Sequence, residues 1–157
     1  MRLLARVDDA VLWLLRSNRW AEENLSRAAE LRGIDPSRVV FAERCGPELH
    51  LARHRHADLV VDTFNYNAHT TATDALWTGL PVVTMQGRQF SARVAGSLLH
   101  NVGLSELVTE DPQAYESLVL VLMLSPERLA ALRDRLSRAR SRRGSPVPAG
   151  HGPSGAR

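Results

Sequence analysis

The 157-residue chain has a net charge of +3, 44% hydrophobic and 5% aromatic residues, which suits one domain with a real core. Its apolar runs, "VLWLL" and "SLVLVLML", are far too short to span a bilayer. The charge is local: from Arg133 onward there are seven Arg and one Asp, a sum of +6, so the remainder sums to −3, and no nucleic-acid partner is expected from basicity alone.

In chain order, "MRLLARV" reads as the last turns of a helix, and "VLWLLR" (11–16) as a buried strand. "AEENLSRAAELRG" (21–33) has helical spacing and ends at Gly33. "VVFA" (39–42) is the second strand, and "GPELHLARHRHA" (46–57) is a helix with Pro47 in its first turn, where the missing N–H does no harm. "DLVVDT" (58–63) is the third strand. A polar loop then leads into a helix beginning near Thr70, ended by Gly79 and Pro81. "VVTM" (82–85) is the fourth strand, 90–103 a helix, "ELV" (106–108) a short fifth strand, and 112–140 a helical pair. Continuous apolar strands alternating with helices predict an α/β fold with a parallel, doubly wound sheet. The domain is expected over 1–140, with an Arg/Gly/Pro-rich disordered tail over 141–157.

Ligands of such sheets collect beyond the carboxyl ends of the strands. The segment "FNYNAHTTATDALWTGLP" lies there. With a helix starting near Thr70, His69, Thr70 and Thr71 stand where unpaired N–H groups and the helix dipole converge, a setting for a phosphate or diphosphate. Asp74 shares a face with Thr70 and Thr71. A carboxylate there would repel the phosphate unless aimed past it, at hydroxyls such as those of a ribose. The other reading is structural: Thr70 or Thr71 caps the helix and Asp74 complements its dipole. Both stand open at this level.

His50 and Arg53, spaced i, i+3, share a second face, fit either to stack on a base and reach an anion or to form a solvated basic surface. A metal site at His50 and His54 is not expected, because "HLARH" lacks the glutamate of a zincin motif and a third ligand. Cys45 is the only cysteine; it excludes an internal disulfide and fits a reducing, cytoplasmic setting, as does the absence of a secretory leader pattern. "GRQFSARV" (87–94) reads as either a phosphate-facing loop or a helix start capped by Ser91. All twenty basic residues are Arg, so no mechanism can call on a lysine of this chain.

The segments "VLWLLR", "RVVFAERCGPELHLARHRHADLVVDT", "YNAHTTATDALWTGLPVVTMQG" and "FSARVAGSLL" together resemble the carboxyl-terminal catalytic lobe of the O-GlcNAc transferase/SPINDLY family, most closely its bacterial members. The resemblance implies a Rossmann-like lobe of a GT-B glycosyltransferase that uses UDP-N-acetylglucosamine as donor and modifies Ser/Thr hydroxyls of proteins. It places His69, Thr70 and Thr71 at the diphosphate and Asp74 at the ribose. His50 and Arg53 fall beside the uracil, and Cys45 at a backbone contact to the base. It implies no metal or other cofactor, and no catalytic residue within this chain. Pro47 stands where eukaryotic members carry a ribose-contacting Lys, and an upstream Gln- and Lys-bearing segment and the acceptor-side lobe have no counterpart. An incomplete lobe is therefore expected. The competing readings are a non-catalytic nucleotide-binding module and another GT-B enzyme, such as a sugar-nucleotide epimerase.

Overall fold

The computed structural model describes residues 1–143. Its elements are β1 (Leu12–Leu15), α1 (Arg19–Glu30), β2 (Val39–Ala42), α2 (Pro47–Arg53), β3 (Val60–Val61), α3 (Thr70–Trp77), β4 (Val82–Met85), α4 (Val94–Asn101), β5 (Val108–Thr109), α5 (Pro112–Met123) and α6 (Pro126–Arg143). Every strand pair is parallel, as the alternation of strands and helices requires. The pairing forms two ladders, β1–β2 and β3–β4–β5, and among the described residues no ladder joins them.

Boundaries moved where side chains intervene. α1 starts at Arg19 rather than residue 21, because the Asn18 side chain accepts the Ala21 N–H at 2.9 Å. Gly33 follows in the left-handed region, with φ of 68°. Residues 1–7 are not a helix end. One turn closes from Ala5 N–H to the Met1 carbonyl, and the Arg38 guanidinium then donates to the carbonyls of Leu4, Val7 and Ala10. The helix expected from residue 90 starts at Val94, after a 3₁₀ turn over Phe90–Ala92. The carbonyls of Ser91 and Ala92 are taken by the N–H groups of Asn67 and Gly87, at 2.8 Å each, and so lie outside a helical ladder. Ser91 does not cap α4; its hydroxyl donates to the Asn65 carbonyl. α6 continues to Arg143, and the rest of the expected tail lies outside the described residues.

The larger core is built around β4, whose Val82 and Val83 are fully buried, with Leu80, Leu99, Leu104, Leu107 and Val119. A smaller core of Leu4, Ala29, Ile34 and Val39 seats β2 against α1. Among the described residues no helix is long and apolar enough to cross a membrane.

Candidate functional site

The site starts from one buried acid. Asp62, immediately after β3, directs one carboxylate oxygen to the N–H groups of Thr63 (2.8 Å) and Ala68 (2.7 Å), and the other receives the Thr84 hydroxyl of β4 (2.7 Å). Its carbonyl accepts the Tyr115 hydroxyl at 2.8 Å. Burial, with the Asp62 charge adding to it, holds that phenol well above its ordinary pKa, so Tyr115 stays a donor. Asn67, also buried, donates to the Thr63 carbonyl, and its N–H reaches Ser91. The loop 63–69 is therefore fixed at both ends and braced by 87–93. Gly87 belongs to that brace: a Cβ there would stand 2.7 Å from the Cβ of Ala92.

This bracing delivers His69 to the N-cap of α3. The His69 side chain makes no capping bond. The first intrahelical bond runs from Thr73 N–H to the His69 carbonyl, which leaves the N–H groups of Thr70, Thr71 and Ala72 without a backbone acceptor. Thr70 and Thr71 occupy the first two helical positions, are exposed, and make no side-chain hydrogen bond among the described residues. Neither threonine caps the helix, so the structural reading of this pair does not hold. The His69 ring stacks on Tyr66, with centroids 4.8 Å apart and planes 14° apart, and meets Phe90 edge-on. Its Nε2 is buried without a hydrogen-bond partner, as is Oδ1 of Asn67. Such atoms are rare in folded proteins and call for a missing partner.

Asp74 is half-buried on α3, and among the described residues its carboxylate has no hydrogen bond or ion pair. Across from it, α2 presents His50 and Arg53. Arg53 donates to Nδ1 of His50 at 2.8 Å and to the Glu43 carbonyl at 2.9 Å, and its guanidinium lies over the Trp13 ring. A guanidinium only donates, so neutral His50 carries its proton on Nε2. Cys45, in the β2–α2 loop, is free and half-buried.

His54 links the two faces. Its ring packs edge-on against His50 at 4.8 Å, and its Nδ1 lies 3.1 Å from the Thr78 hydroxyl at the end of α3. Burial lowers its pKa, with His50 and Arg53 adding to that effect, while Asp74 pulls it upward. Asp74 is thus within electrostatic reach of His54, whose ring packs against His50. A group with a lowered folded pKa binds more protons unfolded, so its contribution is complete above the ordinary histidine value and is lost progressively as pH falls from there through the lowered folded value. The thermal midpoint is accordingly expected to drop between pH 7.5 and 5.5, and His54→Asn to reduce that drop. Differential scanning calorimetry across that range checks it, and an equally steep drop in the variant would count against the assignment.

The spacing of "HTTATD" placed four of these residues, but Asp62, Tyr66, Asn67, Phe90 and His54 were missed as site residues. The one legible signal was the second acid of "DLVVD", a charge directly after the apolar run "LVV". The surface is an open shelf: Tyr66, Thr70, Thr71 and Phe90 are exposed. Two cavities lie elsewhere, one of 380 Å³ lined by Met1, Leu3, Leu25, Phe64 and Tyr115 among others, and one of 290 Å³ between Trp77 and Arg140.

The helix N-terminus, the orphaned histidine nitrogen and the unpaired carboxylate thus lie at the carboxyl end of a parallel ladder, where ligands of such sheets collect. The sequence profile described as Glycosyl transferase family 41 matches residues 1–146. The chain belongs to glycosyl transferase family 41. Among similar proteins, the family 41 chain is 39% identical over 141 residues to the UDP-N-acetylglucosamine–peptide N-acetylglucosaminyltransferase of Caenorhabditis elegans, covering 90% of this chain and 12% of that protein. It is 34% identical over 139 residues to a probable enzyme of the same name, SEC, from Arabidopsis thaliana, covering 88% of this chain and 14% of that one. In three dimensions it matches a mutant O-GlcNAc transferase from Thermobaculum terrenum with a TM-score of 0.85 and 32% identity, over 90% of this chain and 28% of that chain. At that likeness the fold is the carboxyl-terminal lobe architecture expected from the sequence. The chain spans roughly an eighth of the length of the two curated relatives.

Proposed function

We propose that this chain is the donor-binding lobe of a UDP-sugar-dependent protein O-glycosyltransferase that moves N-acetylglucosamine to Ser/Thr hydroxyls. Three relatives matched by the chain carry names of that activity. The observation that carries the reading is the unsatisfied set at α3: three free N–H groups, two free threonine hydroxyls and the orphaned Nε2 of His69. These donors take the two phosphates, with Nε2 of His69 protonated toward them. Asp74 accepts from the ribose hydroxyls, and His50, held by Arg53, lies against the base. Cys45 offers backbone to the base edge.

As the sugar–phosphate bond breaks, negative charge grows on the departing diphosphate. Donors already fixed in place stabilise that charge without reorganising, which lowers the barrier. No metal is required for this step, because the helix N-terminus and hydroxyls meet the charge. The acceptor protein and the group that activates its hydroxyl come from outside this chain. A cytoplasmic setting and a bacterial lineage belong to the same reading, the former resting on free Cys45.

Titration calorimetry with UDP tests it. Asp74→Ala and His50→Ala are each expected to weaken binding about tenfold, the worth of one or two charge-assisted or stacking contacts. The chain assayed alone is expected to bind UDP without transferring sugar to peptides. Unchanged affinity in both variants would remove the site.

A further inference from the structure

We propose that His54 is a positioning residue for the donor nucleotide: bonded to Thr78 and packed on His50, it fixes the base-facing helix α2 relative to α3. This role rests on the donor-site reading and adds to it the residue that holds its two halves in register. His54 directly follows α2 and opens the 3₁₀ turn His54–His56, whose other two side chains are exposed while its own is half-buried. Among the described residues, its bond to Thr78 is the one hydrogen bond that joins residues 46–57 to residues 70–79.

The direction of that bond follows from counting protons. The Thr78 hydroxyl has one, and the carbonyls of Asp74 and Ala75 lie 3.0 and 2.9 Å from it, the usual back-bonding of a helical threonine. With that proton given to the α3 backbone, the hydroxyl oxygen accepts from His54, so Nδ1 of His54 is protonated. His50 has the opposite tautomer, because Arg53 donates to its Nδ1. The two rings meet edge to face, with centroids 4.8 Å apart and planes at 71°. His50 is thus held at its nitrogen by Arg53 and at its ring by His54.

Arg53 and His54, adjacent in sequence, tie the end of α2 to different parts of the fold. Arg53 donates to the Glu43 carbonyl just after β2 and lies over Trp13 of β1, whereas His54 reaches α3, which packs on β4. Thr78 stands one helical turn beyond Asp74 on the same face. A ligand that touches both helices gains from their spacing, because its second contact is intramolecular and forms only where the geometry allows both. A nucleoside diphosphate is such a ligand, with its base at α2 and its ribose and phosphates at α3. Pyrophosphate meets α3 alone.

The test follows binding of UDP and of inorganic pyrophosphate to the full 157-residue chain by NMR titration at pH 8, where the lowered pKa of His54 keeps it neutral. His54→Ala and Thr78→Val are each expected to weaken UDP binding about 10-fold, the worth of roughly one hydrogen bond, and to leave pyrophosphate binding within about twofold of the parent. The double variant is expected to bind UDP as weakly as either single one, since both remove the same bond. His54→Asn, whose amide N–H takes the place of Nδ1–H, is expected to recover most of the loss. General loosening of α3 would weaken both ligands alike, so a pyrophosphate loss matching that of UDP would overturn the proposal. Additive losses in the double variant would do the same. If the parent binds UDP and both single variants bind it equally well, His54 loses this role while the donor-site reading stands. A parent that binds no UDP removes the donor-site reading and this role with it. Thr78→Val keeps the shape of its side chain and decides the matter where His54→Ala does not fold.

Discussion

Asp62→Ala is expected to lower the stability of the chain by about 3–5 kcal/mol, the largest effect of any single substitution considered. Three donors converge on this carboxylate: the N–H groups of Thr63 and Ala68 and the hydroxyl of Thr84. Removing it spares the cost of burying a charge. That gain is outweighed, because the fully buried Thr84 hydroxyl and an amide at the base of the loop are left without an acceptor. Asp62→Asn keeps one oxygen for the two amides and is expected to cost only about 1 kcal/mol. Chemical denaturation of both variants checks this. The effect reaches the site as well, since Ala68 directly precedes His69: with its N–H released, the first turn of α3 is no longer held against β4. A loss below 1 kcal/mol in Asp62→Ala would show that the loop is held by its own turns.

His69→Phe is expected to separate binding from stability. Phe keeps a ring for the stack on Tyr66 and the edge contact with Phe90, and removes the buried Nε2 that has no partner. An unsatisfied buried polar atom costs about 1–3 kcal/mol, so the unliganded variant should be as stable as the parent or more so. The same nitrogen is assigned to the diphosphate, where a charge-assisted bond is worth about 1.5–3 kcal/mol. UDP affinity should therefore fall roughly 10- to 100-fold. Opposite signs in thermal melting and calorimetry would mark His69 as held in readiness for a ligand. A variant that binds UDP as the parent does would remove His69 from the site, and a less stable one would show that the nitrogen has a partner in the free protein.

The three substitutions differ in what they interrogate. Asp62 shapes the loop, His69 terminates it, and Asp74 stands one helical turn further on with its carboxylate unpaired. A shared loss of UDP binding with a stability loss only at Asp62 would agree with this division.

Short-range patterns were legible because they depend on spacing alone. "HTTATD" fixes which residues share the first turns of a helix, and Gly79 with Pro81 fixes where it must stop. Alternating apolar runs and helical spacing imply parallel strands joined by crossovers, and quoted motifs such as "YNAHTTATDALWTGLP" carry the family resemblance. Which side chain meets which across the fold is a different matter. Asp62 finds Thr84 and Tyr115, Asn67 finds Ser91, and His54 finds Thr78, over separations of 22, 53, 24 and 24 residues. No local period encodes such pairings. They follow from how helices pack on the strands, and that packing alone turned a polar loop into a braced one, displaced Ser91 from its expected cap, and left Nε2 of His69 buried without a partner. The division of the strands into two ladders was likewise invisible in the chain, because a strand's edge is defined by its neighbours and not by its own residues.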